Sequence, residues 1–396
     1  MERARQSPAA GSGRHLFHHP VATEPAGKTA TGGQTENIRD SMTAFKARNI
    51  REGKTAVNKS KPHSFLGSTD LARVLHDLQF TCLDIGARGG FVEDLLPLSH
   101  VVRAVGFEPD QAECDRLNER VVHKAHPWKS LRFLPIALGS NGRSRTLHIY
   151  HKRGCSSLFE ANLELVRAFG RAADFQLEGT VELAPMPLDE AAEVYDFEDA
   201  VYLKTDVQGS ELDILRSAEK LLDSQILAVR TEVEFIPIYR RQPLFSELEL
   251  YLRKKGFVPM GFVQLDHWRR TTRRKHPKVS SGMIPYSRGQ IVHGDMLFFR
   301  DPALMPEDTP EAVQALVKMA FLALVYEYVD HAFAIFTRPA VERYLSSYGL
   351  ELEKALRVAS CYLLRRSRLE ARSRKWTKAK DYLAAKVFPA KWERDY

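Results

Sequence analysis

No two of the four cysteines, Cys82, Cys114, Cys155 and Cys361, are spaced as a Cys-x-x-Cys pair. That absence argues against local zinc or dithiol motifs and fits a reducing compartment in which each thiol is a buried side chain. The N-terminal residues carry charges but no apolar segment, so they do not read as a secretory signal, and a cytoplasmic protein is expected. A long uncharged apolar run is also missing. The most apolar stretch, Met319 to Phe336, contains Glu327, Asp330 and His331, whereas a membrane span needs ~20 predominantly apolar residues. Nor is the body of the chain basic. Of the formal charge of +8, residues 1–60 carry a net +5 and residues 365–380 a net +7, leaving the remainder slightly negative. Nucleic acid is therefore not an expected partner.

What is present is enough apolar side chain, 44% of 396 residues, for a sizeable core. Residues 1–64 are rich in Gly, Ala, Thr, Lys and Arg without a sustained period and read as a disordered basic tail. Order is expected from residue 65. Apolar runs at Phe80–Ile85, Val101–Phe107, Leu131–Ala137, Ala200–Thr205, Ile226–Glu232 and Phe257–Val263 alternate with helix-like segments at 110–122, 210–222 and 244–255. The alternation predicts an α/β fold with a mostly parallel sheet covered by helices on both faces. A seventh run, Met296–Phe299, follows without an intervening helix and is expected to enter antiparallel. From about residue 305 the chain reads as long helices separated by Pro339, predicting a domain over 65–304 and a helical appendage over 305–396.

In such sheets ligands bind at the carboxyl ends of the strands, beside the point where the strand order reverses. The stretch "FTCLDIGARGG" (80–90) ends the first strand with three glycines in five residues. A dinucleotide fingerprint needs Gly-x-Gly-x-x-Gly, and Arg88 stands where the second glycine belongs. A phosphate-cradling loop would continue into Gly-Lys-Ser/Thr, which is absent. What remains is Asp84-x-Gly86-x-x-Gly89, suited to a ligand with an amino-acid end. Glu108 closes the second strand, 24 residues after Asp84, where an acidic residue accepts hydrogen bonds from ribose hydroxyls. Asp110 already serves as cap for the next helix, so Glu108 is not needed there. In "VYLKTDVQGSELDIL", Lys204 and Asp206 share one face of a strand at its carboxyl end. They read either as a structural ion pair or as groups facing the ligand. Gly209 permits the turn, and Ser210 can cap the following helix.

These stretches, with "VGFEPD", "IALGS" (136–140), "GCSSL" (154–158), "PLDEA" (187–191), "TEVEFIPIYRRQPLF" (231–245) and "GDMLFFR" (294–300), resemble the FkbM-type methyltransferases in family order over about residues 78–300. The resemblance implies a Rossmann-like class I methyltransferase fold with a seven-stranded sheet. It also implies S-adenosyl-L-methionine (SAM) as donor and methylation of a hydroxyl on a sugar, glycan precursor or natural product. It places Asp84, Gly86, Arg88, Gly89, Glu108, Pro109, Ala137 and Asp206 at the donor. Arg88 departs from the small polar residue many members carry, which bears on contacts near the donor carboxylate.

For an alcohol acceptor a general base contributes ~10²–10⁴-fold. Asp206 is the first candidate for base or orienter, with Lys204 holding it ionised, and His151 is a second candidate base. Ser156, Ser157, Glu232, Tyr239, Arg269 and Arg270 are candidate acceptor contacts. Asp206 with Glu232 lacks a clear third ligand, so no metal is expected. The cluster "HWRRTTRRKHPK" (267–278) reads as a solvated loop or as recognition of an anionic acceptor. The basic segment 365–380 reads as a solvated helix end or as a peripheral contact with an anionic membrane. The apolar segment 312–336 reads as packing on the core or as joining two copies in a homodimer. A non-catalytic SAM-binding scaffold and, more remotely, an NAD-dependent oxidoreductase are the alternatives.

Overall fold

Among the described residues nine strands follow one another: β1 (Phe80–Ile85), β2 (Val102–Phe107), β3 (Ser130–Leu134), β4 (Arg145–Tyr150), β5 (Leu177–Leu183), β6 (Ala200–Thr205), β7 (Ala228–Glu234), β8 (Phe257–Trp268) and β9 (Gln290–Arg300). The computed structural model describes residue 66 and residues 69–140, 144–270 and 289–387. The predicted N-terminal tail, and Arg273 and Arg274 of the basic cluster, lie outside them.

Seven strands form one sheet in the order β3-β2-β1-β6-β7-β9-β8. β1 runs parallel to both β2 and β6, and β6 runs parallel to β7. β9 enters antiparallel between β7 and β8. Every residue of β1 and of β6 is buried, as expected of central parallel strands covered on both faces. The strand order reverses between β1 and β6, so their carboxyl ends open the crevice that such sheets use for ligands.

The two faces have different origins. On one, Leu83, Ile85, Val105, Phe107 and Leu203 pack with residues of the helices Leu188–Tyr195, Glu211–Arg216 and Phe245–Lys254. On the other, Phe80, Cys82, Val102, Ala104 and Tyr202 pack with Leu316, Val317, Phe321, Phe336 and Leu345, which come from the C-terminal helices Pro310–Val325, Val329–Phe336 and Pro339–Ser346. The C-terminal helices pack on the sheet and complete its second face, the core-packing alternative given for segment 312–336. The reason is local, because β1 connects to β2 through a short 3-10 turn, Glu93–Leu98, rather than a full helix. A half-buried polar network around the buried Tyr202 ties the same layer to the sheet. The Tyr326 hydroxyl lies 2.6 Å from that of Tyr202 and donates to Asp94 Oδ2 at 3.1 Å, and Arg230 pairs with Asp94 and Asp295.

Other boundaries differ for identifiable reasons. β3 stops at Leu134 because Pro135 has no N–H to offer the ladder. The helix expected over 210–222 breaks at Ser217, whose hydroxyl donates to Ile214 O (2.8 Å) and accepts from Leu188 N (3.1 Å). The apolar segment 312–336 is divided at Glu327, which has φ +70°. The antiparallel pair β4–β5 has no clear sequence signal, since β5 is exposed along most of its length and lacks an apolar alternation. No helix among the described residues is long and apolar enough to cross a membrane.

Candidate active site

Gly86 and Gly89 serve the first turn differently. Gly86 has φ +83°, and a Cβ there would lie 2.0 Å from the backbone oxygen of Asp206. The N–H groups of Gly86 and Ala87 donate to Phe107 O (3.1 and 3.0 Å), and Asp206 N donates to Ile85 O (3.0 Å). The turn is thus pressed against the ends of β2 and β6. Gly89, φ +95°, has nothing within 4 Å of the position a Cβ would take, so it leaves the turn open above its backbone.

Asp84 is buried, with Oδ2 accepting from Val92 N at 2.8 Å and Oδ1 lying 3.0 Å from Lys204 Nζ. Lys204 Nζ is also 3.7 Å from Asp206 Oδ2. Burial raises the Asp84 pKa against the pull of Lys204. Burial works against the Lys204 ammonium as well, but Asp84 and Asp206 outweigh it and hold its pKa above the usual lysine value. Asp206, whose side chain is 38% exposed, stays below the usual carboxylate range because Lys204 and the Gln208 amide overcome its desolvation. Lys204 and Asp206 are thus ion-paired, and the Asp206 side chain remains partly exposed.

Glu108 is buried at the end of β2, and its Oε1 accepts from Asp110 N at 3.0 Å. Burial raises its pKa, opposed by that N–H and by Arg88. The Arg88 guanidinium lies 3.9 Å from Glu108 Oε1 and 3.5 Å from Asp110 Oδ2. The residue that breaks the glycine pattern is thus a cation beside the expected ribose carboxylate. Asp110 also caps its helix, accepting from Glu113 N. Pro109 and Ala137 are half-buried, and Ala137 O accepts from Met186 N (2.9 Å).

Beyond Asp206 the chain turns through Gln208, φ +61°. Its Nε2 donates to Asp206 Oδ1 (3.0 Å) and to Glu232 Oε2 (2.6 Å). The loop is fixed from several sides. Ser157 Oγ donates to Gln208 O (2.6 Å), while the buried Tyr239 hydroxyl lies 2.7 Å from Cys155 O and 3.0 Å from Gln208 Oε1. Glu211 accepts from Val207 N (2.8 Å) and Gly209 N (2.9 Å). This replaces the Ser210 cap expected from sequence, for the Ser210 side chain caps nothing.

Glu211, Glu232 and Glu234 are buried and bring one carboxylate oxygen each within 4.8 Å of one another. The trio shares Glu232 with the Asp206–Glu232 pair considered from the sequence but does not include Asp206. The spacing would suit a cation, yet donors already occupy both oxygens of Glu211, and Glu232 meets Gln208 and His293. Burial pushes the Glu211 carboxyl up to about 7. Burial and neighbouring carboxylates push Glu232 and Glu234 well above the usual range.

A cleft of about 300 Å³ lies against these groups, lined by Lys152, Arg171, Gln208, Asp266, Trp268 and His293 together with Glu232. His293 Nδ1 is 3.0 Å from Glu232 Oε1. His151, expected as a second base, is instead an exposed residue whose Nδ1 pairs with Glu178 of β5 at 2.7 Å. Ser156 Oγ accepts from Tyr150 N, so both serines brace loops. Arg269 and Arg270 are exposed just after β8, with Arg270 stacked 4.8 Å over the Phe169 ring. Sequence reasoning missed Gln208, Asp266, Trp268 and His293. An antiparallel last strand starts at the carboxyl edge of the sheet, so extending β9 backward from Met296 would have brought in His293.

A seven-stranded sheet with six strands parallel and β9 reversed, and with Asp84, Glu108 and Asp206 at adjacent carboxyl ends, defines a Rossmann-like class I methyltransferase fold. Residues 84–259 match the family model of the methyltransferase FkbM domain. Among solved structures, that of magnesium protoporphyrin IX methyltransferase from Synechocystis PCC 6803 with bound SAM is similar at a TM-score of 0.27 and 11% identity, covering 69% of this chain and 100% of that one. No curated protein sequence matches the chain.

Proposed function

We propose that the protein is a SAM-dependent O-methyltransferase acting on a hydroxyl of a sugar, glycan precursor or natural product. The observation that carries this reading is Lys204 held between Asp84 and Asp206 at the crevice. Two carboxylates around one ammonium leave a net negative charge, which favours a cationic ligand. The open turn at Gly89 and the buried Glu108 carboxylate fit the same ligand, the first giving clearance and the second an acceptor for ribose hydroxyls. SAM, when bound, supplies a methyl group already activated on a sulfonium sulfur.

The chain's own part is to align the acceptor and exclude water. Asp206 and Gln208 present a carboxylate and an amide between the donor side and the cleft. The cleft is walled by carboxylates and an imidazole rather than by apolar side chains alone, which supports an acceptor that must lose a proton. Lys152 and Arg171 in the same wall support an acceptor that also bears an anionic group.

Calorimetric titration with SAM, followed by a screen of methyl-labelled SAM against nucleotide-sugars, glycolipids and polysaccharides, tests the reading. Absence of SAM binding would remove it. Binding without transfer to any acceptor would favour a scaffold of the same fold.

A further inference from the structure

We propose that His293 accepts the proton of the acceptor hydroxyl at its Nε2, with Glu232 orienting the ring through Nδ1. The inference rests on the O-methyl reading above and names the base that reading lacks. His293 reaches the site only through topology. β9 is antiparallel, so its first residues lie beside the carboxyl end of β7, with His293 in register with Glu234 and Asp295 with Glu232.

The geometry fixes one face of the ring and leaves the other toward the cleft. Nδ1 lies 3.0 Å from Glu232 Oε1, and the other Glu232 oxygen accepts from Gln208 Nε2, which also holds Asp206. Trp268 stands edge-on to the imidazole with ring centres 6.0 Å apart. Nε2 is 3.9 Å from Asp266 Oδ2, too long for a direct hydrogen bond and near enough to stabilise a positive charge. Glu232, Asp266, Trp268 and His293 line one cleft. A carboxylate that orients an imidazole and supports its charged form is the arrangement a histidine base requires.

Asp206 suits the proton less well. Lys204 and Gln208 hold its carboxylate in the ionised form, so it keeps a proton poorly. His293 and Glu232 are shifted toward each other. Burial lowers the imidazole, against the pull of Asp266, Asp206 and Asp295 and with a contribution from Arg171, while burial and Asp206 raise Glu232. Lys152, Asp174 and Glu234 complete the charged wall of the cleft.

The step balances as follows. The acceptor O–H bond breaks and its proton goes to Nε2. The oxygen forms its bond to the donated methyl carbon, and the carbon–sulfur bond of SAM breaks with its electron pair remaining on sulfur, giving the neutral thioether. His293 leaves the step as an imidazolium facing Glu232 and Asp266, and later releases the proton to solvent.

Nitrogen-15 NMR of the imidazoles in the full chain tests the dyad without any acceptor, the His293 signals being assigned by their loss in His293→Gln. The expected result is a neutral ring protonated at Nδ1 on the alkaline limb. Glu232→Gln should lower the ring's pKa by about one unit, because it removes the charge that favours imidazolium. A neutral ring protonated at Nε2, or a titration unmoved by Glu232→Gln, would overturn the proposal. On any acceptor from the screen, His293→Gln should lower kcat by ~10²–10⁴-fold while SAM affinity by calorimetry stays within about threefold. Wild-type kcat in His293→Gln would equally overturn it. If SAM binds but the wild type methylates nothing in the screen, the O-methyl reading fails on its own, and the NMR result still decides the dyad.

Discussion

Lys204 Nζ lies 3.0 Å from Asp84 Oδ1, joining adjacent positions of β6 and β1 directly beneath the crevice. One ammonium thereby neutralises a fully buried carboxylate and, at 3.7 Å, keeps a second one charged at the surface of the site. Removing one partner of a buried pair leaves the other uncompensated, at a cost of ~3–5 kcal/mol. Lys204→Met should therefore lower stability by that order in denaturant unfolding, whereas Lys204→Met combined with Asp84→Asn should recover part of it. Equal losses in the single and double variants would show that the pair does not act as a unit.

Gly86 and Gly89 separate packing from ligand clearance. Gly86→Ala places a methyl against Asp206 O, where both chains are backbone and neither can yield easily. It should lower the melting temperature markedly and abolish SAM binding. Gly89→Ala meets no neighbour and carries only the strain of its positive φ, about 1–2 kcal/mol. It should fold, with its main deficit in SAM affinity by calorimetry.

Glu108 and Arg88 differ in burial, and their substitution should differ accordingly. On the proposed reading, Glu108→Gln exchanges one buried carboxylate oxygen that would accept from the ribose for an amide donor, worth ~1–3 kcal/mol, and should weaken SAM binding roughly tenfold or more. Arg88 is 39% exposed, and exposed ion pairs contribute ~0–1 kcal/mol. Arg88→Ala should change SAM affinity by less than about fivefold. A larger loss would mean that Arg88 touches the donor directly.

The buried carboxyls set a pH dependence whose sign follows from linkage. Glu234 has a native pKa well above the usual 4.5, and Glu211 is pushed up to about 7. The folded state therefore holds more protons than the unfolded chain above about pH 4. Stability from these groups is full below the unfolded pKa and is lost as pH rises through the native values. Thermal unfolding should show a melting temperature falling between about pH 5 and pH 8. Glu234→Gln should flatten that decline, and a slope unchanged by it would exclude Glu234 as a source.

Phe321 is fully buried in the helix Pro310–Val325, within the same core as Phe80 and Tyr202. Phe321→Ala should destabilise the whole protein by ~3–5 kcal/mol, read as a shift of the single unfolding midpoint. A separable appendage would instead leave the main transition in place.

The alternation of strands and helices, the turn at Gly86–Gly90 and the acidic residues at three strand ends are legible in the residue order alone. These are local signals: apolar runs have a period, and a positive φ beside a backbone oxygen admits only glycine. Asp84, Glu108, Lys204 and Asp206 were legible because each closes a strand that sequence alone delimits. Tertiary structure decided the rest. Nothing local in "VHGD" brings His293 to Glu232; the antiparallel entry of β9 does. Nothing local in the C-terminal helices tells a core layer from an appendage, since their apolar faces read alike in both. The choice followed from the short connection between β1 and β2, which leaves one face of the sheet for residues more than two hundred positions later to cover. His151 shows the converse, a titratable side chain near a motif loop that the hairpin register assigns to Glu178. Contacts between distant segments depend on which faces remain uncovered, and only the assembled chain determines that.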